Sequence, residues 1–511
     1  MTVVTVIAIY LAILLALGVI SSRFFRGTSA DYAVASRSIG PFMLLMSVFG
    51  TTMTAFAMVG STAKAYTTGI GVYGLMASWS GLIHSAVFFL VGIKLWAIGK
   101  RYGYVTQCQF FRDRYQSPLL SYLLFAVLTL LIVPYLLIGI KGAGSMITGV
   151  TSGLFPETFA ATKGSIPPWL TGLIVCAVVL SYVFFGGVRS AVWANTFQTL
   201  VFMGAGILAF WMIAKALGGS AAASADVVAV APDKLVRQGN ISHGEFLSYI
   251  FVPLSVGMFP HLFQHWLTAR SAKSFRLTVI AHPLCILIVW VPCILIGIWA
   301  AGHGIKAGNP NAVLGLMVGK LVHSDLLAGI VAAGVLAAIM STLDSQFVCM
   351  GTMFTHDLVL RVSGKDRFTD RQLLWMSRSF VVAIVAATYF TSLISTQHIF
   401  DLGVWCFSGF ASLFPICVAA LYWRRATAAG ALASLLTTTV VWVALFARDL
   451  QLKGDKPGAP GGDEALIWGV MPVTVIFTAS TLTLVVVSLM TRPPSEDVVN
   501  KFLPRVSATR S

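Results

Sequence analysis

The stretch Phe49–Gly60, FGTTMTAFAMVG, decides how this chain folds. It lies inside an apolar run, 43–68, that is long enough to cross a bilayer as one helix. Yet Gly50, Thr51, Thr52 and Thr54 occupy its middle, and these residues are weak helix formers. A second stretch repeats the problem. FVPLSVGMFPHLFQH (251–265) sets Pro253, Gly257 and Pro260 in another apolar run, 244–268, and each proline removes a backbone donor. The sequence therefore predicts two interrupted spans.

Around them the chain reads as membrane protein throughout. Of 511 residues 57% are hydrophobic and only 10% charged, where a soluble domain carries about a quarter charged residues. Thirteen apolar runs fit spans at 3–21, 43–68, 72–97, 118–146, 167–186, 189–214, 244–268, 275–301, 323–359, 372–395, 398–421, 424–447 and 466–490. Runs this continuous mean helices rather than barrel strands, so the expected class is an all-α integral membrane protein. The first run lacks the basic start and small-residue cleavage site of a signal peptide. Loops after odd-numbered spans, with the tail, hold twenty-one Lys and Arg against seven after even-numbered spans. That asymmetry puts the N-terminus outside and the C-terminus inside. It also accounts for most of the net charge of +16, which argues against a nucleic-acid partner. The seven cysteines form no CxxC pair and the nine histidines show no metal spacing. The stretches 218–240 and 453–465 read as outer connectors.

The interrupted spans are the second and the seventh. Each would open a five-helix unit, and the two units would run in opposite directions. An inverted repeat with a broken first helix in each half is a transporter architecture, with its site near the midplane. The units are 43–214 and 244–421, preceded by an extra helix (3–21) and followed by two more (424–490) and a tail, 491–511. Span 9 adds AAIMSTLDSQ (337–346), in which Ala338, Ser341, Thr342 and Ser345 share one helix face. A dehydrated alkali ion needs about five or six oxygens, by analogy with other hard cations. Carbonyls freed at Gly50, Met53 and Ala338, with the hydroxyls of Ser341 and Thr342, supply five.

At this point the chain resembles the sodium:solute symporter family, with its LeuT-type fold. The resemblance rests on GGVRSAVWANTFQTLVF (186–202), AAIMSTLDSQFVCMGTMFTHDL (337–358), FLVGIKLW and the segment around Gly50. It is nearest to the monocarboxylate and pantothenate-like branch, through IVPYLLIGIKGAG (132–144). The resemblance implies a sodium-coupled symporter, not an enzyme, in a bacterial cytoplasmic membrane, with Na⁺ as coupling ion and no cofactor or obligate protein partner. It implies the same five sodium-binding positions. One departure stands out. The family motif usually has Asp where this chain has Asn195, whereas Asp344 and Ser345 stand in span 9 where the family has hydroxyls. Asn195, Asp344 and Ser345 are thus a candidate second cation site, for Na⁺ or a proton. Substrate-pocket candidates are Thr52, Thr54, Phe56, Ala57, Tyr135, Lys141 and Gly257. Lys141, and Lys64 on the outer half of span 2, would attract a carboxylate. Phe259 and His261, with Trp266, are candidates for an inner gate. The expected cargo is a monocarboxylate or pantothenate-like acid, with proline or another amino acid, then a sugar, behind it. A transporter-like solute sensor is the alternative from another class.

Overall fold

A computed structural model describes residues 2–23, 28–364, 367–395, 397–454 and 466–504. Residues 455–465 of the predicted second connector, and the tail beyond 504, lie outside the described residues. The rest is helical, without a named strand among the described residues.

Ten helices are long and apolar enough to cross a membrane. They are α1 (Thr2–Ser22), α4 (Tyr73–Tyr102), α6 (Pro118–Val150), α7 (Pro168–Ala216), α10 (Ala272–Gly302), α11 (Asp325–Val362), α12 (Asp370–Ile394), α13 (Ile399–Tyr422), α14 (Ala428–Leu452) and α15 (Pro472–Met490). Two further pairs qualify only when joined. α2 (Pro41–Thr52) and α3 (Phe56–Thr68) meet at 57°, and α8 (His243–Gly257) and α9 (Pro260–Thr268) meet at 50°. These are the two spans that the sequence predicts to be broken. The first breaks where Met53 leaves helical geometry (φ −90°, ψ 84°) and Thr54 Oγ1 accepts from Phe56 N–H. The second breaks at Phe259 (φ −63°, ψ 118°), just before Pro260. A short, largely buried helix, α5 (Gln107–Tyr115), joins α4 to α6, and its Arg114 donates to Ala420 O and Trp423 O at the end of α13.

α11 and α13 are the most enclosed of these helices. α7 packs along α11, as do α1 and α6. At 49 residues α7 is about 74 Å long at 1.5 Å per residue, more than twice a hydrocarbon core. It turns at Gly187 (φ 58°, ψ −147°), between the predicted spans 5 and 6. On the far side α14 and α15 pair through Ser434–Ser480 (2.8 Å) and back onto Ser412 O (2.7 Å), the small-residue and hydroxyl packing expected in lipid.

The 218–240 connector is more than a loop. Ser220–Val230 is helical, as its alanine content favours. Lys234 then closes on the C-terminal end of α3, donating to Thr67 O at 2.8 Å while its carbonyl accepts from Ile70 N–H at 2.7 Å.

Candidate functional site

A helix leaves its last carbonyls without partners. In α2 the carbonyls of Gly50 and Thr51 find them on α11. Ser341 Oγ lies 2.8 Å from Gly50 O and 2.9 Å from Ala338 O. Thr342 Oγ1 lies 3.2 Å from Thr51 O and 3.5 Å from Ala338 O. Two hydroxyl protons thus serve three carbonyls, all buried. The site has more lone pairs than protons, an arrangement able to hold a cation. Met53 stands at the break itself, its N–H bonded to Phe49 O. The carbonyl that reaches Thr342 is that of Thr51, a residue absent from the sequence-derived set.

One turn further along α11 lies a buried carboxylate. Asp344 Oδ2 accepts from Tyr182 OH at 3.0 Å and Oδ1 from Ser345 Oγ at 3.1 Å. Asn195 completes the group. With its amide nitrogen towards Asp344 it lies 3.0 Å from both carboxylate oxygens and from Ser341 O, and its carbonyl, 2.9 Å from Ser345 Oγ, competes with Asp344 Oδ1 for the one serine proton. No Lys or Arg pairs with Asp344 among the described residues. Tyr182 stands before the turn of α7 and Asn195 after it, so the turn brings both to one carboxylate. Nothing in local sequence signals Tyr182.

Between the two broken spans is a cavity lined by Thr52, Met53 and Phe56 of the first, Tyr249, Val252, Pro253, Ser255, Val256 and Phe259 of the second, Ser80 and His84 of α4, Tyr135 of α6, Trp290 of α10 and Phe407 of α13. Thr52, Phe56 and Tyr135 are among the predicted pocket residues. Thr54, Ala57, Gly257 and Lys141 are not in this lining. Thr54 instead caps the break, and Gly257 lets the Phe414 ring approach where a Cβ would stand 2.2 Å away. Lys141 is the clearest correction. Its Nζ donates to Ser395 O at 2.8 Å, at the C-terminal end of α12, where a cation meets the negative end of the helix dipole. Lys64 is also occupied elsewhere, 3.5 Å from Glu245 and over the Phe400 ring. Lys141→Met is therefore expected to leave the substrate concentration for half-maximal uptake within about twofold, with a stability loss of about 1 kcal/mol. A large rise at unchanged stability would return Lys141 to the cavity.

Aromatic rings surround the cavity in one connected set, with Phe407 in contact with Tyr135, Phe259 and Phe56. Tyr135, Phe259 and His261 form one triangle, with ring centroids 5.2 to 5.6 Å apart, and Phe410 abuts Phe259 at 5.1 Å. Both ring nitrogens of His261 are buried without a hydrogen bond. Phe56 packs on Phe407 (5.0 Å) and Phe400 (5.3 Å). Trp266 is buried against Phe88 instead. His84 and Trp290, unforeseen in the sequence, each leave one buried ring nitrogen unpaired beside the cavity.

The sequence profile of the sodium:solute symporter family matches residues 32–438. The chain belongs to this family. Among its relatives are the sodium/pantothenate symporter of Escherichia coli K12, 25% identical over 84% of this chain and 87% of that one, and the sodium/proline symporter of Haemophilus influenzae, 24% identical over 97% and 95%. A Staphylococcus aureus sodium/proline symporter is 27% identical over 96% and 92%. In fold the chain is similar to a Na⁺-coupled sialic acid symporter in a substrate-bound outward-open state, with a TM-score of 0.76 at 17% identity, over 97% of this chain and 99% of that one. A nucleobase-cation-symport-1 transporter in a closed conformation matches at 0.54 and 15% identity, over 94% and 99%. This is an integral membrane symporter of LeuT-type fold, coupled to Na⁺ and carrying a small solute.

Proposed function

We propose that the chain imports a small carboxylic acid, a monocarboxylate or pantothenate-like acid, with proline or another amino acid as the alternative cargo. Pantothenate and proline, named for the relatives at 24–27% identity, share one carboxylate. Since no Lys or Arg lines the cavity among the described residues, hydroxyl and indole donors hold that carboxylate.

The proposed sodium ligands are the carbonyls of Gly50, Met53 and Ala338 and the hydroxyls of Ser341 and Thr342. The observation that carries this is Ser341 Oγ within 2.9 Å of carbonyls from both α2 and α11. Sodium there joins the broken span to α11. Ion and solute then bind one conformational ensemble with a shared coupling energy. Rocking of 43–214 against 244–421 opens the site alternately past Phe56–Phe400 and past Phe259–His261. In this reading the helices make thirteen crossings, with the N-terminus outside and the C-terminus in the cytoplasm of a bacterial cell. Uptake into proteoliposomes, with organic acids, amino acids and sugars screened with and without a sodium gradient, tests it. Binding without sodium-driven accumulation would favour a sensor.

Asp344, Ser345 and Asn195 are proposed to hold a second cation. A lone intramembrane carboxylate is costly and marks a functional site by default. Asp344→Asn is expected to lower the Hill slope of sodium-dependent uptake towards one and to raise the sodium requirement severalfold. An unchanged slope and affinity would remove the second cation.

A further inference from the structure

His265 on α9 is not part of the cavity lining, and the coupling scheme above gives it no part. It is fully enclosed, and it bridges three helices. Its Nδ1 is 2.7 Å from Ser47 Oγ on α2, and its Nε2 is 2.9 Å from Ser345 Oγ on α11. Resting on the second-cation reading, we infer that His265 is a positioning residue for that site, tying its occupancy to the inner halves of both broken spans.

The proton count supports this. A hydroxyl carries one proton and two lone pairs, and a neutral imidazole donates at one nitrogen and accepts at the other. Ser345 Oγ is within reach of Asp344 Oδ1 (3.1 Å), Ser341 O (3.2 Å) and the Asn195 amide (2.9 Å) as well as His265. In either orientation of Asn195, the Ser345 proton has an oxygen acceptor, on Asp344 or on Asn195 itself. His265 Nε2 is then the donor, and Nδ1 accepts from Ser47 O–H. The directed chain runs Ser47 to His265 to Ser345, and from there to Asp344 or to the Asn195 carbonyl beside it. When a cation takes one Ser345 lone pair, the bond from His265 occupies the other, and the serine proton turns to Ser341 O. His265 thus fixes which lone pair faces the cation. Because Ser47 lies on the same helix as Gly50, the chain also reaches the element that carries the main sodium site.

The test is sodium-titrated uptake at saturating substrate, alongside substrate affinity at saturating sodium. His265→Leu is expected to raise the half-saturating sodium concentration three- to tenfold, with substrate affinity within twofold. His265→Gln, whose amide nitrogen can reach the Nε2 position, is expected to recover most of the loss. Ser47→Ala should shift sodium in the same direction by less, and it decides the matter if His265→Leu does not fold. In an Asp344→Asn background, His265→Leu should add little. Equal losses of sodium and substrate affinity, no sodium shift, or a Gln variant as poor as Leu would overturn the role of His265. If Asp344→Asn alone leaves sodium dependence untouched while His265→Leu still shifts it, the second-cation reading fails instead.

Discussion

Ser341→Ala is expected to raise the sodium concentration for half-maximal uptake by about 10- to 100-fold, with membrane abundance of the protein unchanged. The magnitude follows from what the hydroxyl does. Bonds to charged groups are worth about 1.5–3 kcal/mol, and each 1.4 kcal/mol is a factor of about ten. Ser341 Oγ lies against Gly50 O and Ala338 O together, so its removal deletes the oxygen common to both sides of the proposed cage. Without sodium the same change costs one hydrogen bond at a fully buried position, about 1 kcal/mol, too little to unfold the protein. Thr342→Ser keeps its oxygen and should stay within a few-fold of the parent, while Thr342→Val should resemble Ser341→Ala. Sodium-titrated uptake at fixed substrate separates these outcomes. Equal sodium dependence in the parent and Ser341→Ala would mean that the hydroxyls only cap the carbonyls of the broken span.

These positions were legible in the sequence because helix chemistry is local. Weak formers at Gly50–Thr54 and prolines at 253 and 260 announce breaks, and i, i+3, i+4 spacing puts Ser341 and Thr342 on one face. The spacing names a face but not its neighbour. Ser345 and His265 are 80 residues apart, Tyr182 and Asp344 are 162 apart, and no periodicity joins them. Lys141 fails for the converse reason. Its surroundings read as deep membrane, but α12 ends beside it, and Ser395 O accepts from the ammonium there. His84 and Trp290 stay hidden because no motif marks them, and only the packing of α4 and α10 against the broken spans places them at the cavity.

Gly187→Ala should remove most of the folded protein recoverable from membranes. Gly187 has φ 58° and ψ −147°, a region that essentially only glycine enters, at about 1–3 kcal/mol for other residues. An added Cβ would also stand 2.5 Å from Tyr32 Cδ2 and 2.7 Å from Tyr32 O. The backbone atom cannot yield as a side-chain end can, and overpacking adds about 1–3 kcal/mol. Together these approach the lower end of a typical folding stability of about 5–15 kcal/mol. Gly204→Ala, on the same helix, is the matched control. Its Cβ meets nothing within 4 Å, and the change improves helix propensity by about 1 kcal/mol. Fluorescence-detected size exclusion of the two variants should show a collapsed monodisperse peak for the first and a parent-like one for the second; equal peaks would show that the turn of α7 tolerates a side chain. The consequence reaches the ion site. Tyr182 and Asn195 approach Asp344 from opposite sides of that turn, so any Gly187→Ala protein that does fold should share the sodium defect of Asp344→Asn.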